Sequence, residues 1–439
     1  MNFVTKFKDT FYNTKPLSEQ EYEHSRKMAI FEGCTARAVF NLTSGAFLAG
    51  YLSFLGADDA FNGIIGAIPV LAGVISILSP IYYEKRDNRK LPIVIQNFLH
   101  RLILGLMGFL PLILEGRTQR LMLVAFFYLL AYLAVSFSNP AASALYISLT
   151  PVNIRGRYFG RRDSILLAVG TVFTLVLGRV LDDFRAEDNE YGGFKIVFSV
   201  ILLMSLANGF FWSKIKEPAV NSEKTSFTLR QIVTIPLKNV GFRRIIIFFI
   251  LYNIGQQVGG PFFSVYMVTR LKLDYTYITI MGMMSTIVNV MLVRVWGRVA
   301  DNKSWNFVLN NSTLLLGIVH LCWLFVNNST AFILVPLFHI VSGAAWAGIG
   351  ISTFNIQYIY SPENGRTVYT GFNAALGGLM GFFGTLGGSV LLRVFDKMGL
   401  HIGSFMISGM QMLFLLSGIL LMICSAYARI RIKKPSTQD

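Results

Sequence analysis

Long apolar runs separated by short polar clusters dominate the sequence. A helix needs about 20 mostly apolar residues to cross the hydrocarbon core of a bilayer. We therefore predict twelve transmembrane helices, called segments 1 to 12, at 33–55, 63–83, 91–114, 121–149, 164–182, 194–213, 244–268, 276–296, 307–326, 331–357, 368–393 and 405–427. The breaks between them are short, so no connection is long enough to hold a separate soluble domain.

Composition supports a membrane protein. Hydrophobic residues make up 54% of the chain and charged residues only 14%, whereas soluble domains are about one quarter charged. The three cysteines, Cys34, Cys322 and Cys424, are far apart in apolar stretches and predict packing rather than a metal or redox site. We expect no cofactor, no bound metal and no catalytic residues.

The net charge of +16 is unevenly distributed along the chain. If the N-terminus is cytoplasmic, 28 of the 39 Lys and Arg residues lie in cytoplasmic segments and six in outer loops. This is the positive-inside pattern, and it predicts a multi-pass protein of the cell membrane with both termini cytoplasmic. It also argues against nucleic-acid binding, because the basic residues form no face interleaved with exposed aromatics.

The chain contains an internal repeat. The loop after segment 4 and the loop after segment 10 share five residue types in register, at a constant offset: Pro151, Asn153, Arg155, Tyr158 and Gly160 against Pro362, Asn364, Arg366, Tyr369 and Gly371. We therefore predict an all-α membrane protein with twelve transmembrane helices in two pseudo-symmetric six-helix bundles. The expected parts are a cytoplasmic tail (1–28), an N-terminal half (29–213), a cytoplasmic linker (214–243), a C-terminal half (244–427) and a second tail (428–439).

A weaker repeat joins the loops after segments 2 and 8. Pro80 is followed by Glu84, Lys85 and Arg86, and Gly297 is followed by Asp301, Asn302 and Lys303. With this loop pattern, two six-helix halves and a cytoplasmic middle loop, the chain resembles the major facilitator superfamily over essentially its whole length. The resemblance is specific for fold and weak for substrate.

The resemblance implies a cytoplasmic gate formed by the repeated loops at 84–90, 151–162, 297–303 and 362–371. The implied gating residues are Glu84, Arg89, Lys90, Arg155, Gly297, Asp301 and Arg366. The sequence departs from the family pattern at Asp87 and Pro80, where the motif has glycines. The alternative interpretation is that these are solvated charges that only set topology.

The resemblance also implies that segments 1, 4, 7 and 10 line a central cavity. Each of these segments carries polar residues at helical spacing, and the candidate substrate-binding residues are Asn41, Tyr128, Tyr132, Asn139, Asn253, Gln256, Gln257, His339 and Trp346. Amides, phenols and an indole suit a polar neutral or amphipathic solute. The alternative is hydrogen bonding between helices, which uses the same residue types.

Ionisable residues within the spans are few. Arg101 lies about 15 Å into segment 3 at the helical rise, and three interpretations are open: attraction of an anionic substrate, pairing with an acid such as Glu32, or snorkelling. No acid is expected deep in a span, so a carboxylate proton relay is not favoured. His100, His320 and His339 can titrate near neutral pH, but a histidine in a membrane more often only hydrogen-bonds.

Two further patterns concern packing. Segment 11 is rich in glycine, and the spacings Gly377/Gly381 and Gly384/Gly388 predict close helix approach, which could also allow sliding during gating. The linker 214–243 contains enough spaced apolar residues for a short amphipathic helix at the membrane interface.

We conclude from the sequence that the chain is a secondary active or facilitative transporter that works by alternating access. Its expected partners are a small-molecule substrate and the lipid bilayer, with a proton, a sodium ion or no ion coupled to transport, and we expect a monomer that is not an enzyme. The alternatives are a non-transporting sensor or lipid scramblase on the same scaffold, or a membrane-embedded enzyme.

Overall fold

A computed structural model describes residues 11–12, 16–83, 86, 88–151, 153–218, 228–362, 366–398, 401–402 and 405–432. Its helices are α1 (Glu19–Leu42), α2 (Gly45–Phe54), α3 (Asp59–Ala72), α4 (Ser79–Tyr83), α5 (Lys90–Met107), α6 (Leu110–Ile113), α7 (Arg117–Ser148), α8 (Arg155–Ala186), α9 (Glu190–Lys214), α10 (Leu229–Lys238), α11 (Val240–Gly259), α12 (Phe262–Val265), α13 (Tyr275–Asn302), α14 (Trp305–Cys322), α15 (Ala331–Tyr360), α16 (Arg366–Met398) and α17 (Gly409–Arg431). Two short strands, β1 (His401–Ile402) and β2 (Phe405–Met406), pair antiparallel.

Ten of the described helical segments are long and apolar enough to cross a membrane. They correspond to predicted segments 2 and 4 to 12, so the all-helical membrane fold is confirmed and the count of twelve is not. Segment 1, predicted at 33–55, instead begins at Glu19 and is divided by a break at Thr43 and Ser44 into α1 and α2. The earlier start has a local cause, because Ser18 and Glu21 form a capping box that satisfies free N–H groups of the first turn.

Contacts between residues divide the chain into two units. The first unit contains Met1–Ala57 and Ile75–Ser226, and the second contains Asp58–Val74 and Phe227–Asp439. Residues Asp58–Val74, which belong in sequence to predicted segment 2, thus make most of their contacts with the C-terminal part of the chain.

The first unit is a helix bundle. Helix α1 packs against α8 and α9, and α5 packs against α7 and α9. In terms of the predicted segments, the pairs are 1 with 5, 1 with 6, 3 with 4, and 3 with 6. The interior is mainly apolar, and its buried polar side chains include a charged group around Glu32.

A buried ion pair lies inside this first unit. Arg101 on α5 donates to Glu32 on α1 at 3.2 Å, and both side chains are almost fully buried. Tyr146 on α7 donates to the other Glu32 oxygen at 2.6 Å, and Asn208 on α9 donates to Glu32 Oε1 at 3.1 Å. Of the three interpretations open for Arg101, the structure contains the pair with Glu32.

Glu32 also corrects the expectation that no acid lies deep in a span. It sits well inside α1 at 3% exposure, because the helix starts earlier than the apolar run suggests. A buried carboxylate is tolerated only with a counter-charge and hydrogen bonds. Arg101, Asn208 and Tyr146 provide both, and they join four helices of the bundle through one side chain.

The second unit repeats the same pairings. Helix α11 packs against α16 and α17, and α14 packs against α15 and α17. In terms of the predicted segments, the pairs are 7 with 11, 7 with 12, 9 with 10, and 9 with 12. These are the same four pairings as in the first unit, shifted by six segments. Helix α13 packs along α15, and α10 packs against α16 and α11.

Helix α3 also packs within the second unit, against α16. The glycines of segment 11 allow the helices there to approach closely, as predicted. A Cβ on Gly378 would lie 2.7 Å from the carbonyl oxygen of Val70 on α3, and one on Gly388 would lie 2.5 Å from that of Val258 on α11. Backbone atoms cannot move aside as a side chain can, so these positions require glycine.

Candidate functional site

A cavity of about 340 Å³ lies in the second unit among α11, α15 and α16. This volume is at the lower end of the range of small-molecule sites. Ten residues line it: Phe249, Asn253, Phe354, Gln357, Tyr358, Thr370, Asn373, Ala374, Gly377 and Gly378. None of these ten is Asp, Glu, Lys, Arg or His, so the cavity wall that the structure describes is uncharged.

Helical periodicity places these side chains on common faces. Residues three or four apart lie on the same side of a helix. On α11 the lining residues Phe249 and Asn253 are four apart. On α15, Gln357 and Tyr358 lie three and four residues after Phe354, and on α16 the lining residues cover two helical turns from Thr370 to Gly378. Each helix therefore presents one stripe to the cavity, and the three stripes meet.

Three carboxamides are among the polar groups of the cavity. Asn373 Nδ2 donates to Gln357 Oε1 at 3.0 Å, and Gln357 Nε2 donates to the Thr353 carbonyl at 2.9 Å. Asn253 Nδ2 donates to the Phe249 carbonyl one turn earlier, at 2.7 Å. These bonds fix the orientation of each amide group before any solute arrives.

One acceptor of this group has no protein partner. Asn373 is 3% exposed, and its Oδ1 makes no hydrogen bond with any residue that the structure describes. A buried acceptor left without a bond costs about 1–3 kcal/mol. A bound solute that donates to this oxygen would therefore gain affinity.

Aromatic rings form the rest of the wall. Phe354 and Tyr358 pack against each other with ring centroids 4.5 Å apart, and both rings are exposed. Gly377 makes room opposite Asn253, because a Cβ at this position would lie 2.9 Å from the Asn253 Nδ2 atom. The arrangement offers flat apolar faces beside oriented amides, which suits a neutral solute with both apolar and hydrogen-bonding parts.

Of the nine predicted substrate-binding residues, Asn253 lines this cavity. Gln256 and Gln257 are half-buried on the following turn of α11. His339 Nδ1 donates to the Val335 carbonyl on its own helix at 2.8 Å, and Trp346 is exposed on α15.

The four predicted residues of the first unit fall into two classes. Tyr128 and Tyr132 are buried in contact with each other, with ring centroids 4.7 Å apart, and Tyr128 donates to the Thr43 carbonyl at 2.9 Å. Asn41 donates to Thr174 at 3.2 Å, and Asn139 is exposed. The tyrosine contacts are those of helix packing, whereas Asn41 and Asn139 remain accessible.

Gln357 and Asn373 were not among the predicted residues. Gln357 continues the polar stripe of segment 10, since Trp346, Gly350, Phe354 and Gln357 follow one another at helical spacing. Asn373 lies in segment 11, whose glycine spacing predicted close helix packing rather than a binding site. The signal for Gln357 was therefore present in the sequence.

The predicted gating residues are described only in part. Glu84 and the side chain of Arg366 lie outside the described residues. Arg155 donates to the Thr150 carbonyl at 3.3 Å, and Asp301 and Gly297 lie near the end of α13, with Asp301 exposed.

Arg89 and Lys90 meet a carboxylate that was not predicted. Their backbone N–H groups donate to Glu217, each at 2.9 Å to Oε2, so Glu217 caps the N-terminus of α5. A helix N-terminus favours a negative charge. Burial nevertheless raises the pKa of the Glu217 carboxyl above its ordinary value, against the effect of these two backbone bonds.

A second charged group, here called the aspartate cluster, lies where α3 begins. Asp59 pairs with Arg270 at 2.8 Å, and Asp58 pairs with Arg393 at 3.3 Å. Asp59 also accepts a hydrogen bond from Thr269 at 3.2 Å. The cluster connects the start of α3 to the end of α16 and to the π-helical turn at Tyr266–Arg270.

Comparison with known proteins agrees with the helical membrane fold. The family model described as Major Facilitator Superfamily matches residues 29–385. The chain belongs to the major facilitator superfamily. It is therefore a multi-pass membrane protein of a family of transporters, in agreement with the resemblance read from the repeated loops.

Solved structures agree on the fold of this superfamily member. A D-xylose–proton symporter matches with a TM-score of 0.71 at 13% identity, over 94% of this chain and 98% of that one. The nucleoside transporter NupG matches with a TM-score of 0.65 at 12% identity, over 94% and 99%. A bacterial homologue of the iron transporter ferroportin matches with a TM-score of 0.68 at 13% identity, over 95% and 100%. No curated protein gives a significant match by sequence.

Proposed function

We propose that this protein moves a small, neutral, polar or amphipathic solute across the membrane by alternating access. The uncharged cavity among α11, α15 and α16 of the second unit is the proposed solute-binding site. The observation that carries the proposal is the buried Asn373 Oδ1, which has no hydrogen-bond partner among the described residues and belongs to a residue of the cavity wall, beside oriented amides and aromatic rings.

The neutrality of the solute follows from the cavity wall. A charged solute would have to leave water for a wall without a counter-charge, which is costly. Hydrogen bonds and ring contacts suffice for an uncharged solute. Solved structures of the same fold include a D-xylose–proton symporter and a nucleoside transporter, and sugars and nucleosides both fit this description.

Direction and closure follow from the predicted topology. With both tails cytoplasmic, the cavity lies toward the cytoplasmic ends of segments 7, 10 and 11, and the aspartate cluster lies at the outer ends of segments 2, 7 and 11. The proposed cycle opens the cavity to the cytoplasm while the aspartate cluster is intact. Opening to the outside requires the two ion pairs of the cluster to break.

The test uses the purified protein in proteoliposomes. A thermal-shift screen over sugars, nucleosides, peptides, drugs and organic acids selects a solute, and its flux is then measured. Asn373→Ala and Asn253→Ala should each raise the half-saturating concentration roughly five- to tenfold, the value of one hydrogen bond of about 1–1.4 kcal/mol.

Asn311→Ala is the matched control. Asn311 donates to the carbonyl four residues earlier at 2.8 Å, as Asn253 does, but it lies on α14 away from the cavity. Its replacement should leave the half-saturating concentration unchanged. If all three variants transport with wild-type kinetics, the proposed site is wrong.

The alternatives from the sequence are separated by the same preparation. Redistribution of labelled lipid without solute flux would indicate a scramblase. Solute binding without flux would indicate a sensor, and chemical conversion of the solute would indicate an enzyme. The superfamily to which the chain belongs favours the transporter.

A further inference from the structure

Helix α10, in the linker before segment 7, has two apolar faces. Ile232 and Pro236 are buried where the helix packs against α16 and α11. Leu229, Val233 and Leu237 follow one another at four-residue steps and are each at least 40% exposed. The second face is therefore not needed for packing within the unit.

The helix is well formed at its start. Thr228 and Gln231 form a capping box: the Thr228 backbone N–H donates to Gln231 Oε1 at 2.9 Å, and Gln231 N–H donates to Thr228 Oγ1. Such a cap satisfies free N–H groups and stabilises the first turn. The exposed apolar stripe thus has a fixed helical geometry.

Exposed apolar residues also follow the stripe along the chain, at the start of segment 7. Val240, at the start of α11, is 60% exposed, and Ile247, two turns later on the same side, is 44% exposed. Helix α11 begins one of the candidate membrane spans, Val240–Arg270. The exposed apolar residues of α10 are therefore followed directly in the chain by those of a candidate membrane span.

Four cations accompany the stripe. Between 228 and 244 the sequence has Arg230, Lys238, Arg243 and Arg244 and no Asp or Glu, and all four are exposed. Within the part of the chain that the structure describes, none of the four forms an ion pair with a carboxylate. Arg429 and Arg431, at the end of α17, are also exposed.

We propose that α10 and the turn into α11 bind anionic phospholipid of the adjacent leaflet. Leu229, Val233 and Leu237 lie at the boundary between headgroups and acyl chains, and Arg230, Lys238, Arg243 and Arg244 contact the phosphate groups. An amphipathic helix with a basic polar face lies in the plane of the interface in this way. Clusters of four or more Lys and Arg beside a membrane span attract anionic lipid.

The first measurement is retention of lipid. The full-length protein is placed in nanodiscs of phosphatidylcholine with one quarter phosphatidylglycerol, and bound phosphatidylglycerol is counted by native mass spectrometry after detergent extraction. Arg230→Gln combined with Lys238→Gln should weaken retention by roughly fivefold for each charge removed, because each base near an anionic surface contributes about that factor.

The control is Arg179→Gln. Arg179 is an exposed base on α8 that pairs with Asp183 at 2.9 Å, so its replacement removes one positive charge, half the change in the double variant, without touching the proposed surface. Its phosphatidylglycerol retention should equal that of the wild type. Equal retention in the double variant and the wild type would overturn the proposal.

The second measurement is depth. In a Cys322→Ser background, a fluorophore is attached either at Val233→Cys, on the stripe, or at Thr234→Cys, to the side of it. Its fluorescence is then quenched either by nitroxide-labelled lipids or by iodide in the water. Lipid quenching at position 233, stronger than at position 234 and stronger with phosphatidylglycerol, supports the proposal. Quenching by iodide alone overturns it and indicates a surface for a soluble partner. Lipid quenching that is indifferent to phosphatidylglycerol overturns the headgroup preference.

Discussion

Replacing Arg101 by methionine should strongly destabilise the first unit. The guanidinium donates to Glu32 and to the carbonyl and side-chain oxygens of Asn97, at 3.2, 2.7 and 3.1 Å. Without it, the Glu32 carboxylate stays buried with only neutral donors. Removing one member of a buried ion pair costs about 3–5 kcal/mol, so the free energy of unfolding should fall by that amount.

The ion-pair argument makes a sharper prediction for the double variant. Glu32→Gln alone leaves Arg101 as an unpaired buried cation and should cost a similar amount. Glu32→Gln with Arg101→Met removes both charges, and the remaining cost is at most that of an orphaned hydrogen-bonding group, about 1–3 kcal/mol. The double variant should therefore be more stable than either single variant.

The assay is unfolding of the purified protein in mixed micelles, followed by circular dichroism. Arg179→Met is the control, because the Arg179–Asp183 pair is exposed, with side chains 72% and 54% accessible, and such pairs contribute about 0–1 kcal/mol. Additive losses in the double variant, or an Arg101→Met protein as stable as the control, would refute the reasoning.

The other predictions concern the cavity, the close helix contact and the aspartate cluster. Gly377→Ala should fill the space beside Asn253 and raise the half-saturating concentration for transport, whereas Gly371→Ala, which meets nothing within 4 Å, should not; equal kinetics would contradict the cavity assignment. Gly378→Ala should push α16 from the Val70 carbonyl and lower the unfolding temperature, and an unchanged temperature would show that the helices can separate freely. The double variant Arg270→Gln, Arg393→Gln should let an impermeant maleimide label a cysteine placed at Ala60 faster than in the Arg179→Gln reference protein. Unchanged labelling would exclude a closing role for the aspartate cluster. Gln256→Ala and Trp346→Ala should weaken transport without changing expression, and wild-type rates for both would restrict the site to the residues around Asn373.

Much of the fold could be read from the sequence because the bilayer imposes a length and an apolar character on each span. Segments 4 to 12 were located correctly to within a few turns. Hydropathy detects only the apolar part of a helix, however. Helix α8 starts at Arg155, within a basic stretch predicted as loop, and α1 starts at Glu19, because polar residues outside the core continue a helix as readily as apolar ones.

The candidate site was predicted less completely, for a physical reason. A polar stripe indicates which face of one helix contacts water or other polar groups. The cavity, however, depends on which helices pack together and at which depth along their axes. Asn253, which lines the cavity, is one of the few polar residues of segment 7 and was therefore among the candidates. Tyr128 and Tyr132 have the same spacing in sequence as a cavity lining, yet they are buried against each other, and the Tyr128 hydroxyl donates to the Thr43 carbonyl. Asp58, Asp59 and Arg270 were visible as loop charges and Arg393 as the last residue of predicted segment 11, but their pairing depends on the tertiary fold.

Predicted segment 2 changes its contacts partway along its length. Asp58–Val74 makes its contacts with the C-terminal unit and Ile75 onward with the N-terminal one, and the change falls in a 3₁₀ helix, Gly73–Leu78, that has no buried residue. A 3₁₀ stretch has weaker hydrogen bonds than an α-helix and often marks a hinge. Segment 2 thus contributes residues to both units, and under the proposed alternating access we expect it to bend at Gly73–Leu78. Stiffening those six residues would be a way to trap the protein in one state without touching the solute.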